Sequence, residues 1–109
     1  MFEVRFLENA NEFLSSINVK ARTKILYNIN KATLLNDTKI FKKLVGTDIW
    51  EFRTLYNKIQ YRLFAFWDKT DKTETLVFCT HGFIKKTQET PKKEIEKAEQ
   101  IKKEYFEQS

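Results

Sequence analysis

The chain contains a single cysteine, a single histidine, a single proline and only two glycines in 109 residues. One cysteine, Cys79, excludes an internal disulfide, and its place in the apolar run LVFC reads as a buried, inert thiol in a reducing compartment. One histidine and one cysteine cannot supply a zinc ligand set, so no metal is expected. With Gly46 and Gly82 as the only glycines, the glycine-rich loops that cradle nucleotide phosphates are excluded, and no cofactor is expected. No apolar stretch approaches the roughly 18 to 20 residues of a membrane span. The opening MFEVRFLENA also lacks a basic segment followed by a long apolar one. The expected location is the cytoplasm, with no membrane partner.

Hydrophobic residues, by contrast, make up 41% of the chain, ten of them Phe, enough for one domain spanning residues 1–109 with a proper core. Twenty Lys and Arg against 15 Asp and Glu give a net charge of +5, which favours an anionic partner such as nucleic acid or an acidic protein.

The period of the apolar residues sets the expected elements. In FEVRFL, residues 2–7, the alternation of Phe2, Val4 and Phe6 with Glu3 and Arg5 predicts a half-buried strand. Asn9, with Glu12 at capping-box spacing, opens a short helix with Ala10, Phe13, Leu14 and Ile17 on one face. Asn18 caps a second helix, where Ala21, Ile25, Ile29 and Ala32 recur at helical spacing to about residue 35. A connecting segment with Leu44 and Gly46 leads to IWEFRTLY (49–56), IQYRLFAFW (59–67) and TLVFCTH (75–81), a three-strand meander. Thr90 and Pro91 then start a closing helix with Ile95, Ala98, Ile101 and Tyr105 on one stripe.

The gap between the first two meander strands is Asn57-Lys58, a two-residue turn, and that turn sets Arg53 directly opposite Arg62. Like charges facing across a ladder cost about 0.2 to 1 kcal/mol. Two guanidiniums on a rigid sheet, however, make a fork for a phosphate. A four-residue loop at Thr70 to Thr73 sets His81 opposite Arg62, and a loop one residue longer or shorter reverses its side. On that register Trp50, Phe52, Tyr61, Leu63, Ala65, Trp67, Leu76 and Phe78 face the helical hairpin. The other face carries Phe64, Phe66, Val77 and Cys79 at one end and Glu51, Arg53, Gln60, Arg62 and His81 at the other. The closing helix is expected over the apolar end, leaving the polar end as a cleft, with His81 ending its strand, Gly82 turning the chain, and Lys85 and Lys86 along the exit.

Such a cleft suits RNA cleavage by the substrate's own 2′-hydroxyl. That reaction needs a proton acceptor, a proton donor and fixed cations for the phosphorane. His81 suits either proton-transfer task, and Arg53 and Arg62 suit the last. On this reading His81→Gln and Arg62→Ala each lower cleavage by about 10² to 10⁴ with little loss of stability. The competing reading makes His81 a hydrogen-bonded structural residue, pairs the arginines with Glu51 or with an acid of the closing helix, and leaves the lysines as solvated surface.

The segments IWEFR, YRLFAF and HGFIKKTQETPKKEIEKA resemble the phage-derived, HigB-like branch of the RelE/ParE toxin superfamily. The resemblance implies a RelE-like α+β fold of order βααβββα: an antiparallel-rich four-stranded sheet with an N-terminal helical hairpin on one face and a C-terminal helix. It implies a type II toxin that enters the ribosomal A site and cuts messenger RNA without a metal, held silent by a HigA-like helix-turn-helix antitoxin. Arg62 then matches the arginine at the scissile phosphate, Arg53 the arginine of the preceding strand, and Lys85 or Lys86 a basic residue after the last strand. Where RelE-type enzymes carry lysines before Arg53, this chain has Ile49 and Glu51. Two alternatives stand beside the nuclease: a ParE-like, non-enzymatic poison of DNA gyrase, and a basic RNA-binding module without catalysis.

Overall fold

The computed structural model describes residues 2–71 and 75–108. The chain runs β1 (Glu3–Phe6), α1 (Glu8–Ser16), α2 (Val19–Leu34), β2 (Phe41–Lys43), β3 (Trp50–Tyr56), β4 (Ile59–Asp68), β5 (Leu76–Lys85) and α3 (Lys92–Glu107). The class is α+β, as expected, but the sheet has five strands rather than four, in the order β1-β5-β4-β3-β2. β1 lies parallel to β5 and every other pairing is antiparallel. The extra strand, β2, falls in what the sequence offers as a connecting segment. Two of its three residues are exposed lysines, so no apolar alternation announces it. Phe41 holds it in place by stacking on Phe52 at a centroid distance of 4.2 Å.

The helix starts follow local chemistry. The side chain of Asn18 accepts from the Ala21 amide at 2.8 Å, the N-cap expected of α2. Asn9 does not cap α1, which begins at Glu8 with Leu7 at the cap position and no side-chain cap bond. Pro91 occupies the N-cap of α3 rather than its first helical position, so Thr90 lies one residue outside.

The Asn57-Lys58 turn forms as expected, with positive φ of 52° and 65° at its two residues. Arg53 therefore faces Arg62. The second hairpin departs from expectation. The proposed loop, Thr70 to Thr73, lies partly outside the described residues, but the ladder beyond it pairs Asp68 with Leu76, Trp67 with Val77 and Ala65 with Cys79, one step off the expected register. Val77 and Cys79 consequently face the helical hairpin, and Leu76 and Phe78 take the opposite side. Both pairs are exchanged relative to the sequence reading because one step in register moves every side chain to the other face.

A bulge between Phe64 and Ala65 takes up Thr80 and shifts the ladder again, so His81 pairs with Phe64, Gly82 with Leu63 and Phe83 with Arg62. His81 thus shares the arginine face, diagonal to Arg62 rather than opposite it. It sits in mid-strand, since β5 continues to Lys85.

Gly82 therefore does not turn the chain. It leaves room for the ring of Phe13, which occupies the space a Cβ would need. Gly82→Ala is expected to push α1 off β5 and cost about 1–3 kcal/mol. Urea unfolding of the variant checks this, and a wild-type midpoint would mean that the ring moves aside freely.

Two apolar layers result. Ala10, Leu14, Ala21, Ile25 and Ile29 of the hairpin pack on Phe52, Leu63, Ala65, Val77 and Cys79. On the other side, Ile95 and Ala98 of α3 pack on Leu44, Ile49, Phe64 and Phe83. Tyr105 and Phe106 extend this second layer over Phe66 and Phe78. Among the described residues no helix is long and apolar enough to cross a membrane.

Candidate functional site

The arginine face of the sheet forms a grid of three cross-strand rows: Leu55, Gln60 and Lys85 nearest the turn, then Arg53, Arg62 and Phe83, then Glu51, Phe64 and His81. All three residues proposed for chemistry lie in the second and third rows. Lys85 stands in the first row beside Gln60. Lys86 follows the strand as an exposed residue.

The centre of the grid is buried. Arg62 is 2% exposed and Glu51 3%, while the side chain of Arg53 retains 34% of its surface. Glu51 lies between the two arginines, its Oε1 3.5 Å from Arg53 Nε and its Oε2 3.5 Å from Arg62 Nε. The other guanidinium nitrogens of Arg62 are well placed: Nη2 donates to Gln60 Oε1 at 2.6 Å and Nη1 to the Tyr61 carbonyl at 3.1 Å. Glu51 Oε2 and Arg62 Nε, however, are buried without a hydrogen-bond partner. Burial lowers the pKa of Arg62; the Glu51 carboxylate opposes this and the Arg53 charge adds to it. Arginine nevertheless stays charged.

His81 is 2% exposed. Its Nδ1 lies 3.0 Å from Thr80 Oγ1 and its Nε2 3.1 Å from Glu94 Oε1, in the first turn of α3. A carboxylate only accepts, so the neutral ring carries its proton on Nε2, and its Nδ1 competes with the Phe64 carbonyl, 3.3 Å away, for the one Thr80 hydroxyl proton. Burial pulls the imidazole below its ordinary pKa of 6.5. The hydrogen bond to Glu94 opposes that, Lys97 pushes it further down, and the Glu94 charge pulls it back up. Between 6.5 and the lower folded value, the unfolded chain binds a proton that the folded chain does not. Stability should therefore fall as pH drops through 6.5 and stay flat above it. Urea midpoints from roughly pH 8 down to 5 trace this slope, and His81→Gln should remove it. An unchanged slope in the variant would assign it to other groups.

The polar end of the sheet is thus not the open cleft the sequence suggests. α3 covers the third row as well as the apolar end, because Glu94 reaches His81 and Ile95 and Ala98 cover Phe64 and Phe83. The part left accessible is Arg53 with the first row. A second latch holds the far end of α3, where Tyr105 donates to Asp68 at 2.6 Å. That bond and the Thr70 contacts keep Asp68 below the usual carboxylate range, while burial and Asp68 push Tyr105 up to about 12. Burial raises the Cys79 thiol above its ordinary value, in keeping with an inert side chain.

Sequence reasoning named Glu51 as one possible partner of the arginines but missed Thr80 and Glu94 as partners of His81. The only signal for Glu94 is its place three residues after Pro91, in the first turn where acids are favoured by the helix dipole.

A mixed sheet with a helical hairpin on one face, a C-terminal helix on the other and an Arg-Glu-Arg cluster beside a buried histidine defines a small α+β protein with a compact ionic site. The family described as phage derived protein Gp49-like (DUF891) matches residues 12–103, and the chain belongs to that family. No curated protein matches it.

Proposed function

We propose that the chain is the toxin of a type II toxin-antitoxin pair, a RelE-like, ribosome-dependent endoribonuclease that cuts messenger RNA without a metal. The observation that carries the reading is the loosely paired ion cluster on the arginine face, where Arg62 Nε and Glu51 Oε2 lie 3.5 Å apart in an ion pair and make no hydrogen bond. Buried polar atoms in a native fold ordinarily have partners. An N–H donor beside a carboxylate oxygen fits a phosphate oxygen beside a ribose 2′-hydroxyl. In this scheme Glu51 takes the 2′-hydroxyl proton, Arg62 and Arg53 stabilise the charge gathering on the phosphorane, and His81, having first taken a proton from solvent to become the imidazolium, gives one to the departing 5′ oxygen and returns to the neutral ring. The product is a 2′,3′-cyclic phosphate. Lys85 and Lys86 hold the RNA backbone, contributing a salt dependence of about 0.7 log units per neutralised phosphate.

The resemblance to HigB-like toxins and the Gp49-like family membership support the same reading. They point to a HigA-like helix-turn-helix antitoxin as partner and to the ribosomal A site as the place of action. Because His81 and Arg62 are buried, RNA must draw Glu94 away from His81 before the donor can reach a leaving oxygen.

A non-catalytic reading, as a gyrase poison of the ParE kind or as an RNA-binding module, is favoured by that same burial of His81 against Glu94. Brief expression in bacteria, with messenger RNA ends and DNA breaks mapped together, separates these readings. In-frame cuts on translated messages support the nuclease. Double-strand DNA breaks identify the gyrase poison, and intact RNA and DNA leave the binding module.

A further inference from the structure

The uncovered end of the arginine face carries a row that the proposed chemistry leaves almost unused: Leu55 on β3, Gln60 on β4 and Lys85 on β5, each directly across from the next. Side chains paired in this way stand about 4.5–5.5 Å apart at Cβ on one face of a sheet. Leu55 is 64% exposed, a bare apolar side chain on the open part of that face. Gln60 is exposed and Lys85 half-buried. Lys85 forms no ion pair among the described residues. The row lies two residues along the strands from Arg53 and Arg62. That is about 7 Å, which sets it beside any phosphate the arginines hold.

The amide of Gln60 is held in one orientation. A guanidinium only donates, so the atom facing Arg62 Nη2 at 2.6 Å must be the carbonyl oxygen, Oε1. The bond is short because its donor is charged. Nε2, with its two N–H groups, is consequently turned outward and donates to no described residue. An unconstrained glutamine reads adenine by donating to N7 and accepting from N6 at once. Gln60 has given its acceptor to Arg62 and can only donate. Uracil satisfies it with the O4 carbonyl and guanine with O6. Cytosine carries an amino group where uracil has O4, and so sets donor against donor.

We propose that this row is a nucleobase subsite that selects keto bases, uracil and guanine, over amino bases: the base rests on Leu55, its carbonyl accepts from Gln60 Nε2, and Lys85 meets the neighbouring phosphate. Arg62 then serves two ends, since the guanidinium that orients Gln60 is the one beside Glu51. The inference deepens the proposed function. It rests on RNA being the ligand of this face and does not require that the RNA be cut.

The probes are 2′-O-methyl hexamers of uridine and of cytidine, which have no free 2′-hydroxyl to attack the backbone, each carrying a 5′ fluorescein and read by anisotropy against the whole chain. The wild-type chain is expected to bind the uridine hexamer about tenfold more tightly than the cytidine hexamer. Gln60→Glu exchanges the outward amino group for an acceptor oxygen and keeps an oxygen for Arg62, so it should reverse the preference toward cytidine. Its added negative charge weakens both hexamers alike, and the ratio of affinities is therefore the readout. A residue that merely supported Arg62 would leave that ratio unmoved. Leu55→Ser should weaken both hexamers and preserve the ratio. Equal binding of the two hexamers by the wild-type chain, a uridine preference that survives Gln60→Glu, or undiminished affinity in Leu55→Ser would overturn the subsite while leaving RNA as the ligand. Binding of neither hexamer up to millimolar protein would remove RNA from this face, and the subsite with it. Failure of the nuclease reading shows elsewhere, as intact messages in the expression experiment, and leaves the hexamer ratio as expected.

Discussion

Arg62→Ala is expected to destabilise the protein by about 3–5 kcal/mol, because it leaves Glu51 in the sheet with only Arg53 to balance it. A surface ion pair would be worth about 1 kcal/mol or less. What separates the two cases is burial, since Arg62 and Glu51 have almost no contact with solvent. The sequence, which shows Arg62 as a cation awaiting a phosphate, leads to the opposite expectation of a loss of function in a stable chain. Replacing both partners tests the cause. Glu51→Leu combined with Arg62→Met should recover most of the stability, because no charge is then stranded. Urea denaturation of the two single variants and the double variant gives the coupling directly. A double variant as unstable as Arg62→Ala would mean that packing, rather than uncompensated charge, sets the loss.

The second large effect concerns chemistry. On the proposed nuclease reading, His81→Gln is expected to lower messenger RNA cleavage by about 10² to 10⁴, the range for removing a positioned proton donor. Glutamine can keep a hydrogen bond to Thr80 or Glu94 while having no proton to give, so the fold should persist. Primer extension across a translated message in a reconstituted translation system measures the rate. Wild-type-like cutting by His81→Gln would return the histidine to a structural role, holding α3 against the sheet. Activity lost only because the variant unfolds would show up in a parallel urea curve.

Much of the architecture is legible in the residues themselves. The two-residue turn at Asn57-Lys58 dictates its own geometry, and with it the facing arginines. Asn18 announces α2 because a short polar side chain before an apolar stripe has one favourable use there. β2 is hidden because Lys42 and Lys43 look like solvated surface, and only the long-range stacking of Phe41 on Phe52 makes a strand of them. The partners of His81 were hidden for a similar reason. Glu94 comes within reach through the docking of α3, which depends on Ile95 and Ala98 finding the second core. The openness of the site was misjudged because its cover comes from a helix that is distant in sequence. The register of β5 was not legible at all, since a bulge leaves no compositional mark at Thr80.

The two misreadings in β5 offset each other at the histidine. From Asp68 outward the ladder is in one phase, which would turn His81 toward Leu63 and bury an imidazole among the side chains under the helical hairpin. Thr80 absorbs one position, and everything beyond it changes sides. Pairing Thr80 with Phe64 in a ladder without the bulge would swap the imidazole into oil and lift Phe83 and Lys85 off the face they now share with Arg62. The same change of register would bring a side chain to the gap that Phe13 fills. Half of β5 therefore answers to the aliphatic core and half to the ionic cluster, and a threonine that touches neither arginine decides which half the histidine belongs to.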